Sequence, residues 1–189
     1  MSENELNLKG LRDHFDSGAT RTYQWRVDQL TAFKKAILAH EQEINQALYT
    51  DLKKIPEECW VTETGLLIQE INHTLDHLRD WMTPAKVDTN LINLPSTSHL
   101  YPSPKGVVLI IGPWNFPLQL LLIPFVSAIA AGNCVVLKPS EFAPATANLV
   151  EKLINESISK DTAIVVQGDG AKVVPGMMEE FRFDHVFYT

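Results

Sequence analysis

Cysteine is scarce: the 189-residue chain holds two, Cys59 and Cys134, far apart, which excludes a disulfide-dense scaffold and fits a reducing compartment. Positive charge is also short, with 16 Lys and Arg against 23 Asp and Glu, a formal net charge of −7. A phosphate-backbone binder needs a basic stripe to displace counterions, and none occurs, so nucleic acid is not expected as a partner. The start has no basic region followed by an apolar run, so no secretory signal is expected. No G-x-G-x-x-G follows an apolar strand, which removes the usual dinucleotide fingerprint. Charge itself is missing from Gly106 to Leu137. On length alone that run suggests a membrane helix, but Gly112, Pro113, Pro117, Pro124 and Gly132 cut it into pieces of strand and helix length.

What is present is an ordinary globular composition, 45% hydrophobic and 21% charged. Leu30, Phe33, Ile37, Ile44 and Leu48 recur at helical spacing and predict one amphipathic helix over 22–50. Pro56 opens a second, with Trp60, Leu67, Ile68, Ile71, Leu75, Leu78 and Met82 on one face, and Pro84 ends it. A shorter helix with Leu8, Leu11 and Phe15 inward precedes both and stops at Ser17-Gly18. Residues 1–84 thus read as a helical region. Residues 85–105 read as a linker with two short, half-exposed strands, 86–92 and 97–101, around Leu94-Pro95-Ser96.

From 106 to 189 the pattern alternates. Strands are predicted over 106–111, 134–138, 162–167 and 184–189, with helices over 117–131, 143–157 and 172–181 between them. Such alternation implies an α/β fold: a Rossmann-like, doubly wound parallel sheet with crossover helices on its faces.

Ligands of an open parallel sheet sit beyond the carboxyl ends of its strands. The candidate loops are Gly112–Pro117, Lys138–Glu141 and Gly168–Gly170, opening on one edge. Lys138 and Glu141 place an ammonium and a carboxylate three residues apart, able to bond vicinal ribose hydroxyls from two sides or to form an ordinary surface ion pair. Asn115, clamped between Pro113 and Pro117, can donate its amide to a developing oxyanion or cap the following helix. The glycine at 168 serves a phosphate or merely turns the chain. Neither cysteine sits where a nucleophile would, Cys134 lying inside an apolar strand and Cys59 on a helix beside Trp60. His73 and His77 are at i, i+4 spacing but lack a third and fourth ligand in sequence, so no metal site is expected.

The runs Gly106-Val107-Val108-Leu109-Ile110-Ile111-Gly112-Pro113-Trp114-Asn115-Phe116-Pro117, Ala128-Ile129-Ala130-Ala131-Gly132-Asn133, Leu137-Lys138-Pro139-Ser140-Glu141 and Phe183-Asp184-His185-Val186-Phe187-Tyr188-Thr189 together resemble the aldehyde dehydrogenase superfamily. Phe15-Asp16-Ser17-Gly18, Trp81-Met82 and the short N-terminal segment are most similar to its class 3 and fatty-aldehyde branch. The resemblance implies oxidation of an aldehyde to a carboxylic acid with NAD or NADP as hydride acceptor, through a cysteine thiohemiacetal and thioester hydrolysed by glutamate-activated water. By motif position Asn115 corresponds to the oxyanion donor. Lys138 and Glu141, with Pro139 and Ser140 between them, hold the adenosine ribose; Ile111, Gly112, Pro113 and Trp114 line the cofactor cleft, with Gly168 on the same edge. Glu141 would crowd a 2′-phosphate, which favours NAD, partly offset by Lys138.

A family member continues past Thr189 into a Gly-Ser-Thr turn, a Glu-Leu-Gly-Gly segment and the cysteine nucleophile, and neither Cys59 nor Cys134 matches the last. The expectation is therefore the N-terminal, cofactor-binding part of such an enzyme, inactive alone and cytoplasmic. In the intact protein a homodimer is expected, with the 85–105 hairpin of the oligomerisation type. The partner expected is an aldehyde, with Trp60, Trp114 and Leu118 as an apolar wall. The alternatives are a non-catalytic nucleotide-binding or assembly module and, matching these segments less well, an acyl-phosphate reductase.

Overall fold

The computed structural model describes residues 7–189. Helix α1 (Leu8–Asp16) starts where the Asn7 side chain accepts the Gly10 N–H at 2.9 Å, and it buries Leu8, Leu11 and Phe15, the residues its spacing predicts. Helix α2 (Tyr23–Ala39) starts where Thr22 accepts the Trp25 N–H at 3.2 Å and buries Leu30, Phe33 and Ile37.

The single helix expected over 22–50 is two. The chain breaks at His40 (φ −107°, ψ 20°) and resumes as α3 (Glu41–Leu52). Neither glycine nor proline stands at the break; its cause is tertiary. Helix α3 turns to lie along α7 (Pro144–Ser157), where Lys152 pairs with Glu43 at 2.7 Å and His40 Nε2 meets Glu156 at 2.7 Å. At its far end Asp51 accepts the N–H groups of Ala145 and Thr146 at 3.1 and 2.7 Å and the Thr146 hydroxyl at 2.8 Å, supplying the cap that α7 lacks.

The helix opened by Pro56 also departs from regularity. It runs as α4 (Pro56–Cys59), a π-turn (Trp60–Thr64) and α5 (Gly65–Met82). The π-turn is closed by the Gly65 N–H on the Trp60 carbonyl, and a Cβ at position 65 would lie 2.5 Å from that oxygen, so a glycine belongs there. The inserted residue shifts the helical phase. Trp60, expected inward, is 47% exposed, and Glu63 and Thr64 are buried instead.

Strands β1 (Ala85–Val87) and β2 (Ser98–Leu100) form the antiparallel hairpin, shorter than expected because Leu91–Asn93 coils into a 3₁₀ turn started by the Asn90 side chain. The main sheet is parallel, with β3 (Val107–Ile111), β4 (Cys134–Lys138), β5 (Ala163–Val165) and β6 (His185–Tyr188) in the order β5-β4-β3-β6. Crossovers are α6 (Gln119–Ala130), α7 and α8 (Gly170–Glu180). β5 is shorter than predicted, and α8 starts two residues early because Asp169 caps it through the Ala171 N–H at 3.0 Å.

Strand alternation divides the core. Val108, Ile110, Val135 and Leu137 pack with α2, α3, α5, α6 and α7, while Val107, Leu109, Cys134 and Val136 pack with α1 and α8. Both faces of β3 and β4 are covered, which is why Val107–Ile111 and Cys134–Leu137 are unbroken apolar runs. Each buried Val, Leu or Ile contributes about 1.5–3 kcal/mol. Among the described residues no helix is long and apolar enough to cross a membrane.

Candidate functional site

Register brings the four strands to one edge. Ile111 stands opposite Lys138 on one side and Tyr188 on the other, and Leu137 opposite Val165. The connections reverse direction between β3 and β6, and it is beyond the strand ends at such a reversal that an α/β sheet takes its ligand.

At this edge the Gly112 N–H donates to the Lys138 carbonyl at 3.0 Å, tying the first loop to the second. Gly112 is buried against α6, where a Cβ would lie 2.9 Å from the Leu121 Cβ. Ile111 and Pro113 are half-buried and Trp114 is 55% exposed. Lys138 is almost wholly buried, and its Nζ donates to the Pro139 carbonyl at 2.6 Å and to Glu141 Oε2 at 3.1 Å. The other carboxylate oxygen of Glu141 accepts the Gly170 N–H at 2.8 Å. That amide above all, then Glu141's own N–H and the Lys138 ammonium, hold the Glu141 carboxyl down at about 2. Ser140 is buried and shapes the turn, its hydroxyl accepting the Phe142 N–H at 3.3 Å. Gly168 lies in the same cluster (φ +123°), two residues before the amide that reaches Glu141.

Lys138, Glu141 and the 168–170 turn are thus brought together. The set fits an adenosine ribose: a carboxylate has about four acceptor sites, its bonded donors leave acceptor capacity free, and the Glu141 side chain is 33% exposed.

Asn115 lies on the exposed loop between β3 and α6, and among the described residues its side chain makes no hydrogen bond within the protein. It does not cap α6. Glu63 does, accepting the N–H groups of Leu118 and Gln119 at 3.2 and 2.8 Å with Oε2, while Oε1 accepts from Lys54 at 2.6 Å. Glu63 is fully buried; burial pushes its carboxyl up, against the pull of Lys54 and the two amides. Lys54 Nζ also stands 4.1 Å over the Phe116 ring. The side chains that fix the Asn115 loop therefore come from residues 54 and 63. In sequence only Gly65, the π-turn glycine, hints that Glu63 turns inward.

Leu118 is fully buried and cannot form an exposed wall with Trp60 and Trp114. Both cysteines are free and buried; burial raises the Cys59 thiol, and that of Cys134 to about 12. The His73 and His77 rings lie 4.2 Å apart beside Trp81. Among the described residues no group of three or more His, Cys, Asp and Glu side chains is placed to hold a metal ion.

The sheet order and its crossover helices define an α/β chain with a parallel, doubly wound sheet. The chain belongs to the aldehyde dehydrogenase family, whose model matches residues 7–189. It is 44% identical over 184 residues to an aldehyde dehydrogenase of Craterostigma plantagineum, covering 96% of this chain and 38% of that protein. It is 42% identical over 179 residues to aldehyde dehydrogenase family 3 member H1 of Arabidopsis thaliana, covering 95% and 37%. The substrate-bound structure of Staphylococcus aureus AldH superposes with a TM-score of 0.92 at 35% identity, over 98% of this chain and 40% of that one. The chain thus spans about two-fifths of the length of the relatives it matches.

Proposed function

We propose that this chain is the N-terminal, cofactor-binding part of an NAD(P)-dependent aldehyde dehydrogenase that oxidises an aldehyde to a carboxylic acid. The observation that carries this reading is the Lys138–Glu141–Gly170 cluster beyond the carboxyl ends of β4 and β5. Glu141 accepts the ribose hydroxyls, Lys138 holds that carboxylate in place, and the loop Ile111, Gly112, Pro113, Trp114 walls the crevice. The nicotinamide cofactor supplies the hydride acceptor when bound. Asn115 presents an uncommitted amide N–H to the carbonyl oxygen as negative charge gathers there, a contribution of about 2.7–4 kcal/mol for one such donor. The fixed carboxylate of Glu141 favours NAD over NADP.

Neither thiol serves as the nucleophile in this reading. Both are buried and both hold their protons, Cys134 up to about 12. The 189-residue polypeptide alone is accordingly inactive. Cytoplasmic location is part of the reading and is supported by the two free thiols. Homodimerisation of the intact protein is supported by the hairpin, which leaves Leu91, Ile92, Leu100 and Tyr101 exposed.

The test is absorbance of NADH in a mixture of the mass-verified polypeptide, NAD and a series of short and long aldehydes. No aldehyde-dependent NADH is expected, and steady turnover would overturn the assignment of the chemistry to residues outside this chain.

A further inference from the structure

Among the described residues one buried ion pair lies behind the Asn115 loop without being part of the crevice. Glu63 is 0% exposed and Lys54 side-chain exposure is 7%. Removing two charges from water costs several kcal/mol each, and mutual attraction offsets this only when the geometry is good and the remaining lone pairs and protons are satisfied. Here they are. One oxygen of Glu63 accepts from Lys54 at 2.6 Å, and the other accepts two backbone N–H groups, Leu118 at 3.2 Å and Gln119 at 2.8 Å. Lys54 gives a further long contact to the Thr62 hydroxyl at 3.5 Å and stands 4.1 Å over the Phe116 ring.

Three of those contacts, to Phe116, Leu118 and Gln119, fall on the segment that ends the Asn115 loop. The residue after Asn115 is held by a cation on its ring face, and the next turn of chain is held by a carboxylate on its free amides, at the positive end of α6. Glu63 sits 55 residues away in sequence from the Leu118 amide it grips, and it reaches the loop because the π-turn rotates it inward. A regular helix through 56–82 would put Trp60 inward, as the hydrophobic spacing alone suggests.

We infer that Lys54 and Glu63 are positioning residues for Asn115: through Phe116 and the first turn of α6 they hold the loop 112–118 in one conformation, so that the Asn115 amide points at a fixed place in the crevice. This rests on the proposed function for the purpose of that amide. The geometry of the grip does not depend on it. A carbonyl-oxygen donor works only if it is already aimed, since reorganisation at the moment of reaction removes its advantage. Asn115 is exposed and bonded to no other side chain, so its aim has to come from the backbone on either side. Gly112 anchors one end through the Lys138 carbonyl; Lys54 and Glu63 anchor the other.

The experiment uses the 189-residue chain, without cofactor, and three substitutions. Lys54→Met removes the cation and keeps the apolar stem, Glu63→Gln keeps an acceptor for the two amides, and Glu63→Ala removes it. Backbone order parameters from NMR relaxation are read for residues 113–118 and for β3 and β4, together with hydrogen exchange of the Leu118 and Gln119 amides. Rigid backbone gives values near ~0.85 and mobile backbone below ~0.6.

In Lys54→Met and Glu63→Ala the values over 113–118 are expected to fall toward the mobile range while β3 and β4 stay rigid. Glu63→Gln should retain most of the order and the amide protection. Two results overturn the inference: a loop that stays rigid in both Lys54→Met and Glu63→Ala, or mobility that rises equally in the loop and the strands, which is what a merely structural pair would give. Should Glu63→Ala not fold, the contrast between Lys54→Met and Glu63→Gln decides alone, and unfolding of all three counts against a local role. Failure of the unsubstituted chain to bind NAD would sink the proposed function and leave this loop result standing.

Discussion

Replacing Glu141 by Gln removes the charge at the centre of the strand-edge cluster and nearly preserves its shape. The carboxyl is held at about 2 against an ordinary value of 4.5, first by the Gly170 N–H, then by its own N–H and by Lys138. A difference of that size corresponds to about 3.4 kcal/mol at 1.36 kcal/mol per pH unit. The side chain is 33% exposed, however, and exposed pairs measure ~0–1 kcal/mol because water screens them. The expected contribution is about 1 kcal/mol. Its sign follows from the folded value lying below the unfolded one: the stabilisation is fully present above about pH 4.5 and is lost as the pH falls toward 2. Urea unfolding curves at pH 7 and at steps down to pH 2.5 measure it. At pH 7 the variant should be less stable by about 1 kcal/mol, and the gap should narrow steadily as the pH falls to 2.5. A gap that is absent at pH 7, or that stays constant to pH 2.5, would refute the hydrogen-bonded carboxylate.

Asp51→Ala strips three bonds from the start of α7 and should lower the unfolding free energy by about 2 kcal/mol; an unchanged urea midpoint contradicts the cap. Gly112→Ala places a methyl 2.9 Å from the Leu121 Cβ and should cost about 1–3 kcal/mol, read from the same curves, with full retention of stability showing that the loop has room. His40 carries Glu43 and Glu156 on its two ring nitrogens, at 2.8 and 2.7 Å, and Glu43 first, then Glu156, raises its pKa. That stabilisation is present below about pH 6.5 and lost as the pH rises through the raised folded value. Thermal melts of His40→Ala should therefore fall below the unsubstituted protein at pH 5.5 and approach it at pH 9; a pH-independent gap would point to packing alone.

Much of the fold is legible in local pattern because local pattern causes it. Gly112, Pro117 and Gly132 delimit β3, α6 and β4 by what their backbones permit, and the spacing of Leu8, Leu11 and Phe15 gives the buried face of α1. Lys138 and Glu141 are legible as a pair because three residues at a strand end suffice to bring them together. The misses share one cause. The break at His40 comes from Glu156 on α7, the cap of α7 from Asp51, and the grip on the Asn115 loop from Lys54 and Glu63, partners 55 to 116 residues apart. No window of sequence contains both ends of such contacts. The π-turn compounds the error, since one inserted residue exchanges Trp60 for Glu63 on the buried face. Leu118, expected in an apolar wall with Trp60 and Trp114, is fully buried at the start of α6.

In the proposed function Glu141 receives the adenosine ribose of NAD beyond the carboxyl ends of β4 and β5. Calorimetric titration of the chain and of Glu141→Gln with NAD and NADP tests it most directly. The account predicts saturable NAD binding, tighter than NADP, with the substitution weakening NAD by about tenfold, the equivalent of 1.4 kcal/mol, and narrowing its advantage over NADP. An unsubstituted chain that takes up neither nucleotide, or a Glu141→Gln variant that binds both as the parent does, would contradict it.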